Sequence, residues 1–239
     1  FVRTADDVRK LRKFLRDHGG EGMRIISKIE NGEGVRNLDE IIVESDGIMV
    51  ARGDLGVEIA FKKIPALKKV MINKCNEAGK LVVTATQMLE SMTQNPRPTR
   101  AEVSDVANAI YDGTTAIMLS GESAAGDYPA EAVKTMAEIA ETTEESLDYS
   151  RYFVRDHMKM EHTPINAVCA SAYSAASYLD AEAIVVVTKS GRTARMLSDF
   201  KPTAPIIAVT MQEEGVRALK LAWGVRPVAA ERMETPEAL

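Results

Sequence analysis

Ile25-Ile26-Ser27-Lys28-Ile29-Glu30-Asn31 is a short apolar run ending in a lysine and a carboxylate, and its reading decides how the rest of the chain is read. Side chains alternate faces along a strand, so Lys28 and Glu30 point one way while Ile25 and Ile29 point the other. An ion pair turned into a helix layer loses more by desolvation than it recovers unless its geometry is excellent, so the Lys28/Glu30 face should open on a polar site. Working outward from Arg24 to Glu30, three similar runs follow: Asp46 to Ala51, Leu81 to Thr86 and Ala116 to Ser120. Each leads through polar or glycine-containing residues into a stretch with helical periodicity. A spacing of roughly 25 to 35 residues is that of repeated βα units, and runs this continuously apolar suit a parallel sheet buried on both faces.

Helix boundaries agree with this. Thr4-Ala5-Asp6-Asp7 opens an amphipathic run to His18, which Gly19-Gly20 ends. Pro65 lies in the first turn of a helix reaching Ala78, before Gly79. Asn95-Pro96-Arg97-Pro98 excludes helix, and Thr99-Arg100-Ala101-Glu102 then reads as a capping box. Pro129 opens a long helix with an acidic face of Glu138, Glu141, Glu144 and Glu145. The polar stretch Tyr149 to Glu161 breaks the pattern and reads as a linker. Beyond it, Thr163-Pro164 caps an alanine-rich helix to about Leu179. Strand Ala183 to Thr188, helix Thr193 to Phe200, strand Pro205 to Thr210, helix Glu213 to Ala222 and strand Val225 to Val228 follow. The expected domains are 1–148, a linker over 149–163, and a second, incomplete α/β domain over 164–239.

The 239 residues are 45% apolar and 27% charged, an ordinary globular balance with room for one large or two modest domains. A net charge of −5 without a basic stripe argues against a nucleic-acid surface. No run is long enough for a membrane span, and the first residues do not resemble a signal peptide. Cys75 and Cys169 have no metal-binding or disulfide spacing, which points to a reducing cytoplasm. Phe1-Val2-Arg3 reads as the tail of a strand, so a truncated chain is expected. His18, His157 and His162 have no Ser or Cys nucleophile arranged with them, and Asn31-Gly32-Glu33-Gly34 lacks the third glycine of a dinucleotide fingerprint.

Four strand ends carry the chemistry. Glu30 and Asp54 are hard oxygen ligands of the kind that hold Mg²⁺ together with substrate oxygens and water. Lys28 is a mobile point charge suited to a phosphoryl group in transfer; the same spacing also fits a structural Lys28–Glu30 ion pair. Arg52-Gly53-Asp54-Leu55-Gly56 reads as a sharp turn whose glycines let backbone N–H groups approach an anion, or as a plain turn. Thr86 tops the third run, and Leu119-Ser120-Gly121-Glu122-Ser123 brings a hydroxyl and a carboxylate to the same level.

Together, Ile26-Ser27-Lys28-Ile29-Glu30-Asn31, Met49 to Glu58, Thr84 to Met92, Asn95 to Glu102 and Leu119 to Ser123 resemble, in order, the motifs of pyruvate kinase. The resemblance implies an α/β fold: half of a (β/α)8 barrel, its strands five to eight, followed by a smaller α/β three-layer domain. It implies transfer of the phosphoryl group of phosphoenolpyruvate to ADP, giving pyruvate and ATP, in the cytoplasm. Lys28 would stabilise the phosphoryl group, and Glu30 and Asp54 would ligate Mg²⁺ or Mn²⁺. Arg52, Gly53, Asp54 and Thr86 would meet the substrate, and Ser120 and Glu122 would belong to the network delivering the proton. K⁺ would bind through residues upstream of Phe1, and the isolated fragment should be inactive. Arg97 and Arg100 would lie near a contact in a homotetramer. Ala125 departs from the lysine many relatives carry. The alternatives are a metal-dependent lyase or aldolase of the phosphoenolpyruvate/pyruvate barrel type and a non-catalytic sugar-phosphate-binding protein.

Thr188-Lys189-Ser190-Gly191-Arg192-Thr193 joins a strand to a helix N-terminus, a phosphate site or simply a well-capped helix start. By resemblance, Thr188, Lys189, Ser190, Gly191 and Thr193 would hold a phosphate of an activator such as fructose 1,6-bisphosphate.

Overall fold

A computed structural model of the chain describes residues 1–149 and 163–231, which form two compact units, Phe1–Leu147 and Asp148–Leu239. Apart from its two ends, the linker expected over 149–163 lies outside the described residues.

In the first unit, α1 (Ala5–Asp17) precedes β1 (Ile26–Ile29); α2 (Gly32–Arg36) and α3 (Leu38–Glu44) lead to β2 (Gly47–Ala51). Then come α4 (Arg52–Glu58), α5 (Ile64–Glu77), β3 (Leu81–Ala85), α6 (Arg100–Tyr111), β4 (Ala116–Met118), α7 (Gly121–Ala124) and α8 (Pro129–Glu145). The strands pair in parallel in the order β1-β2-β3-β4. Sequential order and parallel pairing mean that every strand's C-terminal end lies on one edge of the sheet, where loops can build a site.

The caps that stop and start these helices are those the residues predict. Asp7 Oδ2 accepts from Thr4 N at 2.9 Å, and Thr99 N donates to Glu102 Oε2 at 2.7 Å. Gly79, at φ +60°, lets the chain reverse after α5. Ile29, Ile48, Val50 and Val82 are wholly buried against Leu55, Met71, Ile72 and Cys75. Burying each large apolar side chain contributes about 1.5–3 kcal/mol, so this layer is what holds the strand ends in place. Burial alternates along β1 as expected, with Ile25, Ser27 and Ile29 inside and Lys28 and Glu30 partly exposed.

The second unit packs α9 (Pro164–Tyr178), α10 (Arg192–Asp199) and α11 (Glu213–Leu219) with a parallel sheet in the order β5 (Ile184–Val187), β6 (Ile206–Thr210), β7 (Val225–Ala229). Its core joins Cys169, Tyr173, Leu197, Phe200, Ile206 and Leu219.

Candidate active site

The parallel register sets Lys28 against Met49 and Ile29 against Val50, so the end of β1 lies level with the end of β2. Lys28 Nζ donates to Asp54 Oδ2 at 2.8 Å and pairs with the Glu30 carboxylate as well. The bonds to Asp54 and then to Glu30 raise the lysine's pKa, which keeps it an ammonium. Glu30 is pushed below the usual carboxylate range, first of all by its bond to Lys28. Two carboxylates and one cation therefore meet at one point on the C-terminal edge.

The segment Arg52–Gly56 differs from its expected form. Instead of a sharp turn, the chain passes from β2 directly into α4, with Asp54 in the first turn. Asp54 suits that position because a carboxylate is favoured at the positive end of a helix. Glycine inside a helix costs about 1 kcal/mol relative to alanine, yet packing does not require it at either position here. A Cβ at Gly53 would make only ordinary contact with Thr86 Oγ1, at 3.7 Å, and one at Gly56 would meet nothing within 4 Å.

Arg52 also departs from expectation. Its guanidinium turns inward, with only 12% of the side chain exposed. Nε donates to the Ala85 carbonyl at 3.2 Å, Nη2 to the Thr86 carbonyl at 2.6 Å and to Met88 Sδ at 2.7 Å, and Nη1 pairs with Asp105. These donors brace the end of β3.

Thr86 stands at φ +66° and Gln87 at φ +53°. For a β-branched residue this left-handed conformation is an outlier, costing on the order of 1–3 kcal/mol, and it persists only where surrounding bonds over-determine it. Here they do: Thr86 Oγ1 donates to the Ala85 carbonyl at 2.7 Å and accepts from Gly53 N at 2.9 Å, while Arg52 grips the carbonyls. Thr86 is thereby hydrogen-bonded to the residue beside Asp54.

At the fourth strand, Ser120 is partly exposed, but Glu122 is wholly buried. Glu122 Oε1 accepts from Leu89 N at 3.0 Å and Oε2 from Ser120 N at 2.8 Å. The carboxyl expected in a proton-delivering network is thus closed to solvent and ties the β4–α7 turn to the segment after β3. Neither cysteine offers a nucleophile: burial pushes the Cys75 thiol up to about 12 and raises Cys169 as well.

In the second unit, Thr188 Oγ1 accepts from Gly191 N at 3.0 Å, closing the turn before α10. Gly191 caps the helix at φ +74°, and Leu219 would lie 3.1 Å from a Cβ there. Lys189 and Ser190 are exposed beside it, and Thr193 sits partly buried in the first turn of α10.

Asp105, Lys68 and Asp112, which support Arg52 from behind, were not singled out from sequence. Asp105 lies 53 residues from Arg52, and on an amphipathic helix it reads as one more surface acid.

Among the described residues no group of three or more His, Cys, Asp or Glu is arranged to hold a metal. Glu30 and Asp54 form a two-carboxylate set, the number with which Mg²⁺ is commonly held when substrate oxygens and water complete its sphere. Both are hard oxygen donors held within reach of one ammonium, so the donor set fits such an ion.

Both units are similar to known proteins. Residues 1–133 match the family model described as pyruvate kinase, barrel domain, and residues 166–239 match pyruvate kinase, alpha/beta domain. A pyruvate kinase of Clostridium acetobutylicum is 50% identical over 239 residues, 100% of this chain and 50% of that protein. One of Geobacillus stearothermophilus is 52% identical over 237 residues, 99% of this chain and 40% of that protein. The crystal structure of a pyruvate kinase from Cryptosporidium parvum superposes with a TM-score of 0.96 at 44% identity, covering 100% of this chain and 50% of that one. The chain spans about half the length, or less, of these relatives.

Proposed function

Because this chain belongs to the pyruvate kinase family, we propose that it supplies half of the catalytic barrel of a cytoplasmic enzyme transferring the phosphoryl group of phosphoenolpyruvate to ADP, and most of that enzyme's regulatory domain. The observation that carries this reading is the meeting of Lys28 with Glu30 and Asp54 at the ends of β1 and β2, one hydrogen bond away from Thr86. Phosphoryl transfer needs mainly positioning and charge neutralisation, and this edge of the sheet offers both.

In this proposal Glu30 and Asp54 hold Mg²⁺ or Mn²⁺. The ion, when bound, supplies positive charge against the phosphoryl and enolate oxygens. Lys28, flexible and 42% exposed, presents its ammonium to the phosphoryl oxygens as their charge grows. The open space over Gly56, and the absence of a side chain at Gly53 beside Thr86, let the substrate carboxylate approach the start of α4, which accounts for two helical glycines that packing does not require. Thr86 Oγ1, fixed by the Ala85 carbonyl and Gly53 N, stands beside that carboxylate. Ser120 contributes a hydroxyl near the enolate carbon, and Glu122 acts on it by holding the Ser120 backbone.

In the second unit, the exposed Lys189 and Ser190 beside the Thr188–Gly191 turn and Thr193 receive a phosphate of a sugar-phosphate effector such as fructose 1,6-bisphosphate, within a homotetramer.

Lactate-dehydrogenase-coupled turnover of phosphoenolpyruvate and ADP by the full-length protein carrying these residues tests the proposal. Turnover that requires a divalent metal is expected; its absence refutes the reading. The 239-residue chain alone is expected to show none, because β1 and β4 each end the sheet with an unpaired edge.

A further inference from the structure

Behind the candidate site runs a chain of charged side chains, Arg52, Asp105, Lys68 and Asp112. Arg52 spans Thr86, gripping the Ala85 carbonyl before it and the Thr86 carbonyl after it. The guanidinium is aimed there by Asp105 of α6, which pairs with Nη1. The second oxygen of Asp105, Oδ1, accepts from Lys68 Nζ of α5 at 3.3 Å. Lys68 is only 5% exposed and lies 3.6 Å from Asp112 Oδ2, an oxygen that is buried and has no hydrogen-bond donor. Asp112 also pairs with Lys69.

Burial makes this arrangement consequential. A buried lysine demands compensating carboxylates, and Asp105 in the middle of α6 and Asp112 at its C-cap supply them. Asp105 is then held between two cations and cannot swing without leaving one of them uncompensated. Arg52 inherits that rigidity, and its two carbonyl bonds pass it to the left-handed residues Thr86 and Gln87. A β-branched residue keeps such a conformation only while its surroundings enforce it.

We propose that Asp105, backed by Lys68, is a positioning residue for the reaction: through Arg52 it holds Thr86 in its left-handed conformation, with Oγ1 between the Ala85 carbonyl and Gly53 N and beside the substrate carboxylate. The proposal rests on the phosphoryl-transfer reading above. It assigns Arg52 a role beneath the site, different from the substrate contact expected of it, and it extends the machinery to α5 and α6.

The test is Asp105→Asn in the full-length enzyme, which keeps the size of the side chain and removes its charge. Amide exchange is followed at Gly53 and over residues 86–88, alongside steady-state kinetics. Exchange at Gly53 should accelerate about tenfold as its bond to Thr86 loosens, and kcat should fall on the order of 10- to 100-fold, the scale of a small misplacement of a reacting group. KM for ADP should stay within about twofold, because the displaced groups face the substrate carboxylate, a split that general destabilisation would not produce. Combining Asp105→Asn with Arg52→Lys should cost little more than the worse single change, since both act through one connection. If Asp105→Asn does not fold, Lys68→Met is read the same way and should give the same signature at smaller amplitude. Faster exchange at Gly53 with unchanged kcat overturns the proposal, as does a fall in kcat with exchange unchanged. If the unsubstituted full-length protein does not turn over phosphoenolpyruvate, the functional reading fails first and takes this inference with it.

Discussion

Replacing Glu122 by Gln separates bracing from chemistry at the fourth strand end. Both carboxyl oxygens of this wholly buried side chain accept backbone N–H groups, Leu89 N at 3.0 Å and Ser120 N at 2.8 Å. An amide keeps one acceptor and turns an NH₂ group toward the other N–H, so one hydrogen bond is lost and a buried donor is left unpaired. That costs about 2–4 kcal/mol: the lost bond to a charged group contributes about 1.5–3 kcal/mol, and the penalty of about 1–3 kcal/mol for the orphaned buried donor overlaps with it and does not add in full. For a unit of this size each kcal/mol moves the melting temperature by about 2–4 °C, so calorimetry of the full-length protein should show a fall of roughly 5–15 °C. If Glu122 acts only by holding Ser120, kcat measured well below the transition should fall by less than about tenfold and keep its pH profile. A melting temperature within about 2 °C of the parent would refute the bracing geometry. A reshaped pH profile would show that Glu122 itself moves the proton.

Two further outcomes follow from the same geometry. At Gly47, which opens β2 between β1 and β3, an added Cβ would lie 2.9 Å from both Leu81 Cβ and the Leu81 carbonyl oxygen; Gly47→Ala should therefore destabilise by about 1–3 kcal/mol in urea unfolding, and a neutral result would contradict the sheet packing. Burial pushes the Glu102 carboxyl upward, but donors from Ser91 and Thr99 outweigh it and hold its pKa below the ordinary 4.5. A depressed folded-state value stabilises above the unfolded pKa and is lost as pH falls through the folded one. The melting-temperature gap between the parent and Glu102→Gln should thus be constant above about pH 5 and shrink below about pH 4, and a gap unchanged at pH 3 would count against it.

Much of this fold is legible in the residues because strand periodicity and caps are local. Thr4, Thr99 and Thr163 each open a helix where their hydroxyl and the following acid or proline predict one. The apolar runs locate every strand of the first sheet but overshoot the C-terminal ends: β3 stops at Ala85 and β4 at Met118. The overshoot has one cause. The residues past the strand ends belong to the site, and there hydrogen bonds from distant side chains override local preference, as Arg52 and Gly53 do at Thr86. The helix Arg52–Glu58 is missed for a related reason, since two glycines in five residues read as a turn when the strand, Leu55 and the Asp54–Lys28 bond that support a helix are not in view. Of the site, the meeting of Lys28, Glu30 and Asp54 follows from strand alternation and parallel register. The inward turn of Arg52 and the burial of Glu122 do not, because both depend on partners more than thirty residues away in sequence.

The central claim is that Lys28 serves the phosphoryl group while Glu30 and Asp54 serve the metal, and Lys28→Met in the full-length enzyme tests it most directly. Lys28 Nζ occupies Asp54 Oδ2 at 2.8 Å and also pairs with Glu30, so removing it frees both carboxylates. Coupled turnover of phosphoenolpyruvate and ADP should fall at least about a hundredfold, as when one preorganised charge is lost from a transition state. Mn²⁺ affinity measured by calorimetry should hold or tighten. Turnover like that of the parent, or loss of Mn²⁺ binding together with activity, would contradict the division of labour among these three residues.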